Sequence, residues 1–165
     1  MPHDFIGWLH TITALIALNT GSLVLAHTKG NQKHKILGYI YASSMLIVCG
    51  TAFMIYKVQG SFGVLHVFAV ISTVTLFLGM LPMYFKYSAN YIVEHLSWMY
   101  WSVIGLYCAF AAEVFTRLPV ILDIPNTYGM FYILVGLSAG LVGFVGSFYF
   151  KRKKVVWENS FLNRE

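Results

Sequence analysis

Apolar positions along this chain fall into five long blocks separated by short polar stretches: Phe5–Ala26, Ile36–Tyr56, Phe62–Phe85, Tyr91–Ala112 and Tyr128–Phe150. A helix needs ~20 mostly apolar residues to cross the hydrocarbon core of a bilayer, and each block is long enough. Strands with open edges cannot satisfy their backbone groups in lipid, so the blocks predict five transmembrane α-helices. Short connections make consecutive helices antiparallel neighbours. The exception is Val114–Thr127, where Pro119 and Pro125 stand among Val120, Ile121, Leu122 and Ile124. That stretch is too apolar for a free loop and too short to cross twice, and is expected to lie on the outer membrane surface. Glu113 and Arg117 are spaced to pair there if the helix continues.

Composition agrees with the pattern. Of the 165 residues, 58% are hydrophobic and 10% charged, against roughly a quarter charged in soluble domains. Such a chain cannot cover a water-facing surface, so its partner is the lipid bilayer. The formal charge of +5 does not indicate nucleic acid, because the cations flank the apolar blocks. With the N-terminus outside, Lys29, Lys33, Lys35, Lys86, Lys151, Arg152, Lys153, Lys154 and Arg164 fall inside, and only Lys57 and Arg117 outside. This bias predicts an N-out, C-in protein of an inner (plasma) membrane. The first block has no basic region before it and no small-residue cleavage site, and reads as a retained span. Cys49 and Cys108 lie inside apolar blocks and offer neither a disulfide framework nor a CxxC motif.

Two copies of one motif organise the first four blocks. Gly7-Trp8-Leu9-His10 opens the first and Gly63-Val64-Leu65-His66 the third, while His34 and His95 lie near the starts of the second and fourth. The chain thus reads as two pseudo-repeated hairpins, a four-helix core over 1–126, with a fifth packing helix and basic tail over 127–165. Parallel repeats of this kind are related by an axis along the membrane normal. Such an axis sets His10 opposite His66 near the outer face and His34 opposite His95 near the inner face, ~20 Å apart along the bundle. The fifth helix carries Gly136-x-x-x-Gly140, with Gly143 and Gly146 beyond. That close-packing pattern suits docking within the chain or homo-oligomerisation through helix 128–150.

Histidine inside a span is costly and reads as functional. Imidazoles on facing helices suit axial ligation of haem b, the remaining ring nitrogen being oriented by a hydrogen bond. Thr13, Thr73, Ser43 and Ser102 are candidates to supply it. Two haem layers would carry electrons across the membrane to or from a redox partner. The alternative cofactor is zinc or copper on His10 and His66 with Glu113 or Asp123. A non-enzymatic membrane assembly subunit is the further alternative. Nothing in the sequence marks a catalytic triad, a P-loop or a buried carboxylate pair, so no reaction follows from it.

In layout, with ligands alternating between layers of four helices, the chain resembles the ascorbate-reducible and related di-haem cytochromes b. A closer resemblance covers Phe5 to Pro119. Gly-x-Leu-His, then His34-Lys35-Ile36-Leu37-Gly38-Tyr39-Ile40-Tyr41, then His95-x-x-Trp98-Met99, is similar to a bacterial family of small predicted multi-pass membrane proteins of unknown function. The resemblance implies that the histidines belong to the family's design. The family usually carries a basic residue after the fourth histidine and an arginine beyond the methionine. Here those places hold Leu96 and Tyr100-Trp101-Ser102.

Overall fold

The computed structural model describes residues 5–55, 62–121 and 127–162. Every regular element among them is an α-helix: α1 (Phe5–Ala26), α2 (Gln32–Ala52), α3 (Val64–Phe85), α4 (Tyr91–Ile121) and α5 (Thr127–Leu162). All five contain stretches long and apolar enough to cross a membrane. An apolar core packs around residues such as Tyr41, Met45, Leu76 and Val103, but unlike a soluble protein the exterior is apolar as well. Thr13, Thr20, Ser44, Thr51, Ser72, Ser102 and Ser138 are buried, whereas Phe5, Leu137 and Phe144 are at least two-thirds exposed. The interior hydroxyls are satisfied locally, as where Thr13 donates to Leu9 O at 2.7 Å and Thr20 to Ile16 O at 2.8 Å. They cost little in a dry interior, and the apolar exterior faces acyl chains.

Differences from the expected boundaries have local causes. The second helix starts at Gln32 and not Ile36, because the Asn31 side chain caps it, accepting from His34 N at 2.8 Å. The expected surface segment Val114–Thr127 is corrected in part: α4 continues as helix through Pro119 to Ile121. Proline costs a helix one hydrogen bond and a clash with the preceding turn, yet the backbone stays helical on both sides of this one. Residues 122–126 lie outside the described residues, as does the Arg117 side chain. At 36 residues, α5 is ~54 Å long, well beyond the ~30 Å of a hydrocarbon core. The basic tail is therefore helical as far as Leu162. Pro82 lies inside the last turns of α3, where the sequence showed no break.

The chain divides into two compact units, Met1–Val103 and Ile104–Glu165. In the first, α2 packs on both α1 and α3, while among the described residues α1 and α3 do not pack on each other. The start of α4 reaches all three. A Cβ at Gly21 on α1 would stand 3.3 Å from Val103, and one at Gly79 on α3 would stand 2.6 Å from Met99 Sδ. The Tyr41 hydroxyl on α2 lies 2.9 Å from Ser102 Oγ. The α2–α4 diagonal of this four-helix arrangement is therefore the short one. In the second unit α5 packs on the rest of α4 where Gly146 meets Ile104 and the Cys108 thiol points at Ala139 O, 3.6 Å away.

Candidate functional site

Where α2 and α4 begin, the structure brings two of the four singled-out histidines together. The rings of His34 and His95 have centroids 6.5 Å apart and planes at 86°. Sequence spacing explains the register. Tyr41 follows His34 by seven residues and Ser102 follows His95 by seven, so each pair shares a helix face two turns apart. The parallel helices α2 and α4 thus form a two-rung ladder, with a histidine pair at its start and the fully buried Tyr41–Ser102 hydrogen bond ~10.5 Å further along. Gly21 completes the second rung, since any side chain there would run into the Tyr41 ring at 3.0 Å.

His95 is held by its Nδ1, which lies 2.7 Å from Gly79 O. A carbonyl oxygen only accepts, so Nδ1–H donates, and the neutral ring carries its lone pair on Nε2. One feature of α3 makes that carbonyl reachable: Gly79 has no side chain, which lets α4 approach until Met99 N stands 3.2 Å from where a Cβ would be. His34 differs: its buried Nδ1 has no hydrogen-bond partner among the described residues. One turn along the same face, Gly38 has open space where a side chain would begin.

Between these helix starts, Lys29 in the α1–α2 connection is 6% exposed. Its ammonium donates to Val24 O and Leu25 O at 2.7 Å and to His27 O at 3.1 Å. It thereby closes the C-terminus of α1, whose last carbonyls have no helical donor. Burial pulls its pKa down from 10.5 to about 8.

His10 and His66 occupy different local settings despite their shared motif. His10 is the sixth residue of α1, and its Nδ1 lies 2.9 Å from Thr51 Oγ1 on α2. The Thr51 hydroxyl has one proton, with Ile47 O at 2.7 Å, Val48 O at 3.0 Å and His10 Nδ1 all within its reach. His66 is the third residue of α3, and Gly63 is that helix's N-cap. Its Nδ1 accepts Gly63 N–H at 3.1 Å, and its ring stacks on Phe62 at 5.0 Å. An Nδ1 that accepts puts the neutral ring's proton on Nε2. Two copies of Gly-x-Leu-His thus meet different partners, because the second falls at a helix start and the first falls inside one.

The hydroxyls expected behind the histidines serve elsewhere. Thr13 and Thr73 donate to their own helix, Ser102 pairs with Tyr41, and Ser43 is exposed. Gly79 O and Thr51 take that role, and neither carried a signal beyond being polar. Of the acidic groups considered for a metal, Glu113 is partly exposed on α4 and Asp123 lies outside the described residues. Among the described residues, no three His, Cys, Asp or Glu side chains gather as metal ligands.

No curated protein and no solved structure matches the chain. A family model does, over residues 7–152, a span that takes in His10, His34, His66 and His95 and both hairpins. The chain therefore belongs to the predicted membrane proteins of the DUF2306 family, a family of unknown function.

Proposed function

We propose that this multi-pass membrane protein is a b-type cytochrome that holds haem between His34 and His95 and passes electrons through it. The meeting of those two rings carries the reading. A metal–imidazole bond is ~2.0 Å and a ring centre lies roughly 1.1 Å behind its bonding nitrogen, so two imidazoles on one iron have centres roughly 6.2 Å apart. The observed separation is 6.5 Å. Gly79 O holds His95 in the tautomer that axial ligation needs, as a backbone carbonyl commonly does behind a ligand. Gly38, one turn from His34 on the same face, leaves open space beside that ring. Two axial ligands suffice for haem iron, whereas zinc asks for three or four protein ligands.

In this reading the chain lies N-out, C-in in the bacterial inner membrane, on the distribution of lysine and arginine, and its hairpins are a parallel repeat. The His34–His95 haem then sits near the inner face. The outer pair, His10 and His66, stands second. A haem there requires His66 to give up its contact with Gly63 N–H, and electron passage across the whole bilayer depends on that second layer. Absorption spectroscopy of protein purified after expression with ample haem tests the proposal. The reduced-minus-oxidised spectrum should show Soret and alpha bands of low-spin haem b, which a His95→Ala variant lacks. A featureless spectrum from the wild type would remove the reading, and stoichiometric copper or zinc in its place would favour the metal alternative.

A further inference from the structure

Beyond its apolar stretch, α5 carries four successive cations, Lys151, Arg152, Lys153 and Lys154. Three of them lie over aromatic rings of the preceding turn. The Arg152 guanidinium is 4.3 Å from the Phe148 ring centre, Lys153 Nζ is 5.9 Å from that of Tyr149, and Lys154 Nζ is 6.0 Å from that of Phe150. Every pair is i, i+4. Helical side chains lean toward the N-terminus, so each cation is drawn back over its ring, toward the apolar segment and away from the tail. Successive residues are about 100° apart around a helix. The three pairs therefore face three directions, and the exposed Lys151 takes a fourth. The charge forms a collar around the helix and not a stripe along it.

We propose that this collar binds the phosphate groups of anionic phospholipids in the leaflet beside the C-terminal tail. A folded protein or a nucleic acid presents a surface to one side of a helix. Cations on all sides, pinned at the level where the apolar segment ends, meet headgroups in every direction. Aromatic rings belong at that level, with their faces among the glycerol and acyl boundary. Because α5 remains helical to Leu162, the collar sits on regular backbone with its register fixed. The inference needs only that α5 spans the membrane, and stands or falls apart from the haem reading.

The test is a lipid titration of the full-length protein in detergent, followed by thermal unfolding. Dioleoylphosphatidylglycerol should stabilise the wild type saturably, and dioleoylphosphatidylcholine should not. A cation near an anionic surface contributes roughly fivefold in affinity, so R152Q/K153Q/K154Q should shift the phosphatidylglycerol midpoint upward by about a hundredfold. Each single glutamine variant should shift it about fivefold, which keeps the test open if the triple variant folds poorly. F148L/Y149L/F150L retains every charge but frees the cations, and should weaken binding about tenfold. Glycerol phosphate, a headgroup without chains, should give no stabilisation. Equal response to the two lipids, wild-type titration by the glutamine or leucine variants, or stabilisation by glycerol phosphate would overturn the proposal.

Discussion

Gly79 is where α3 and α4 come closest, and Gly79→Ala measures how much that approach matters. The added methyl would stand 2.6 Å from Met99 Sδ and 2.9 Å from Met99 Cγ, a flexible side chain able to move aside. It would also stand 3.2 Å from Met99 N, and backbone must shift by a few tenths of an ångström to relieve that. Overpacking of this kind costs about 1–3 kcal/mol. As α4 retreats by that much, the 2.7 Å bond from His95 Nδ1 to Gly79 O lengthens but persists, giving up part of the about 0.5–1.5 kcal/mol it contributes. Alanine returns up to ~1 kcal/mol through its better helix propensity. The balance is a destabilisation of about 2 kcal/mol. Gly38→Ala is the internal control: its methyl meets nothing within 4 Å, so it should be neutral or stabilising by up to ~1 kcal/mol. Reversible unfolding in detergent by a denaturing surfactant measures both. If Gly79→Ala is as stable as Gly38→Ala, the packing argument for α3 and α4 is wrong.

Further expectations concern the polar contacts. A double-mutant cycle of Tyr41→Phe and Ser102→Ala should give a coupling of about 0.6–1.7 kcal/mol, as interhelical hydrogen bonds in membranes do, with unfolding equilibria as the readout. His66→Gln should retain near wild-type stability, because glutamine at the third helical position also reaches the N-cap N–H, whereas His66→Ala should lose ~1 kcal/mol. Burial lowers the Lys29 pKa from 10.5 to about 8, so between those values the unfolded chain binds the proton and the folded chain has released it. Stability attributable to Lys29 therefore rises as pH climbs from 8 toward 10.5. The difference between wild type and Lys29→Met in thermal midpoint, followed across that window, should show it, and a flat difference would contradict the burial argument.

The apolar blocks made the number and order of helices legible, and the first span was readable to the residue, Phe5–Ala26. Helix ends were less so, because they depend on side chains just outside the apolar stretch. Asn31 starts α2 early, and α4 runs through a proline that sequence patterns treat as a stop. At the candidate site, the seven-residue spacing from His34 to Tyr41 and from His95 to Ser102 was present in the sequence. Its meaning depends on α2 and α4 forming the short diagonal, which no single-helix pattern contains. The Gly-x-Leu-His repeat was visible, yet it does not confer one role, since Gly63 caps a helix and Gly7 lies within one. The partners behind His95 and His10, a carbonyl and a threonine on neighbouring helices, are tertiary facts. Only the fold can supply them.

Haem content per chain, measured on purified wild type beside His34→Ala, His95→Ala and His66→Gln, decides whether His34 and His95 hold haem. The wild type should hold haem, both the His34 and His95 variants should lose it, and His66→Gln should retain the His34–His95 haem. Wild-type protein that takes up no haem, or His34→Ala and His95→Ala proteins that keep the full wild-type complement, would contradict that assignment.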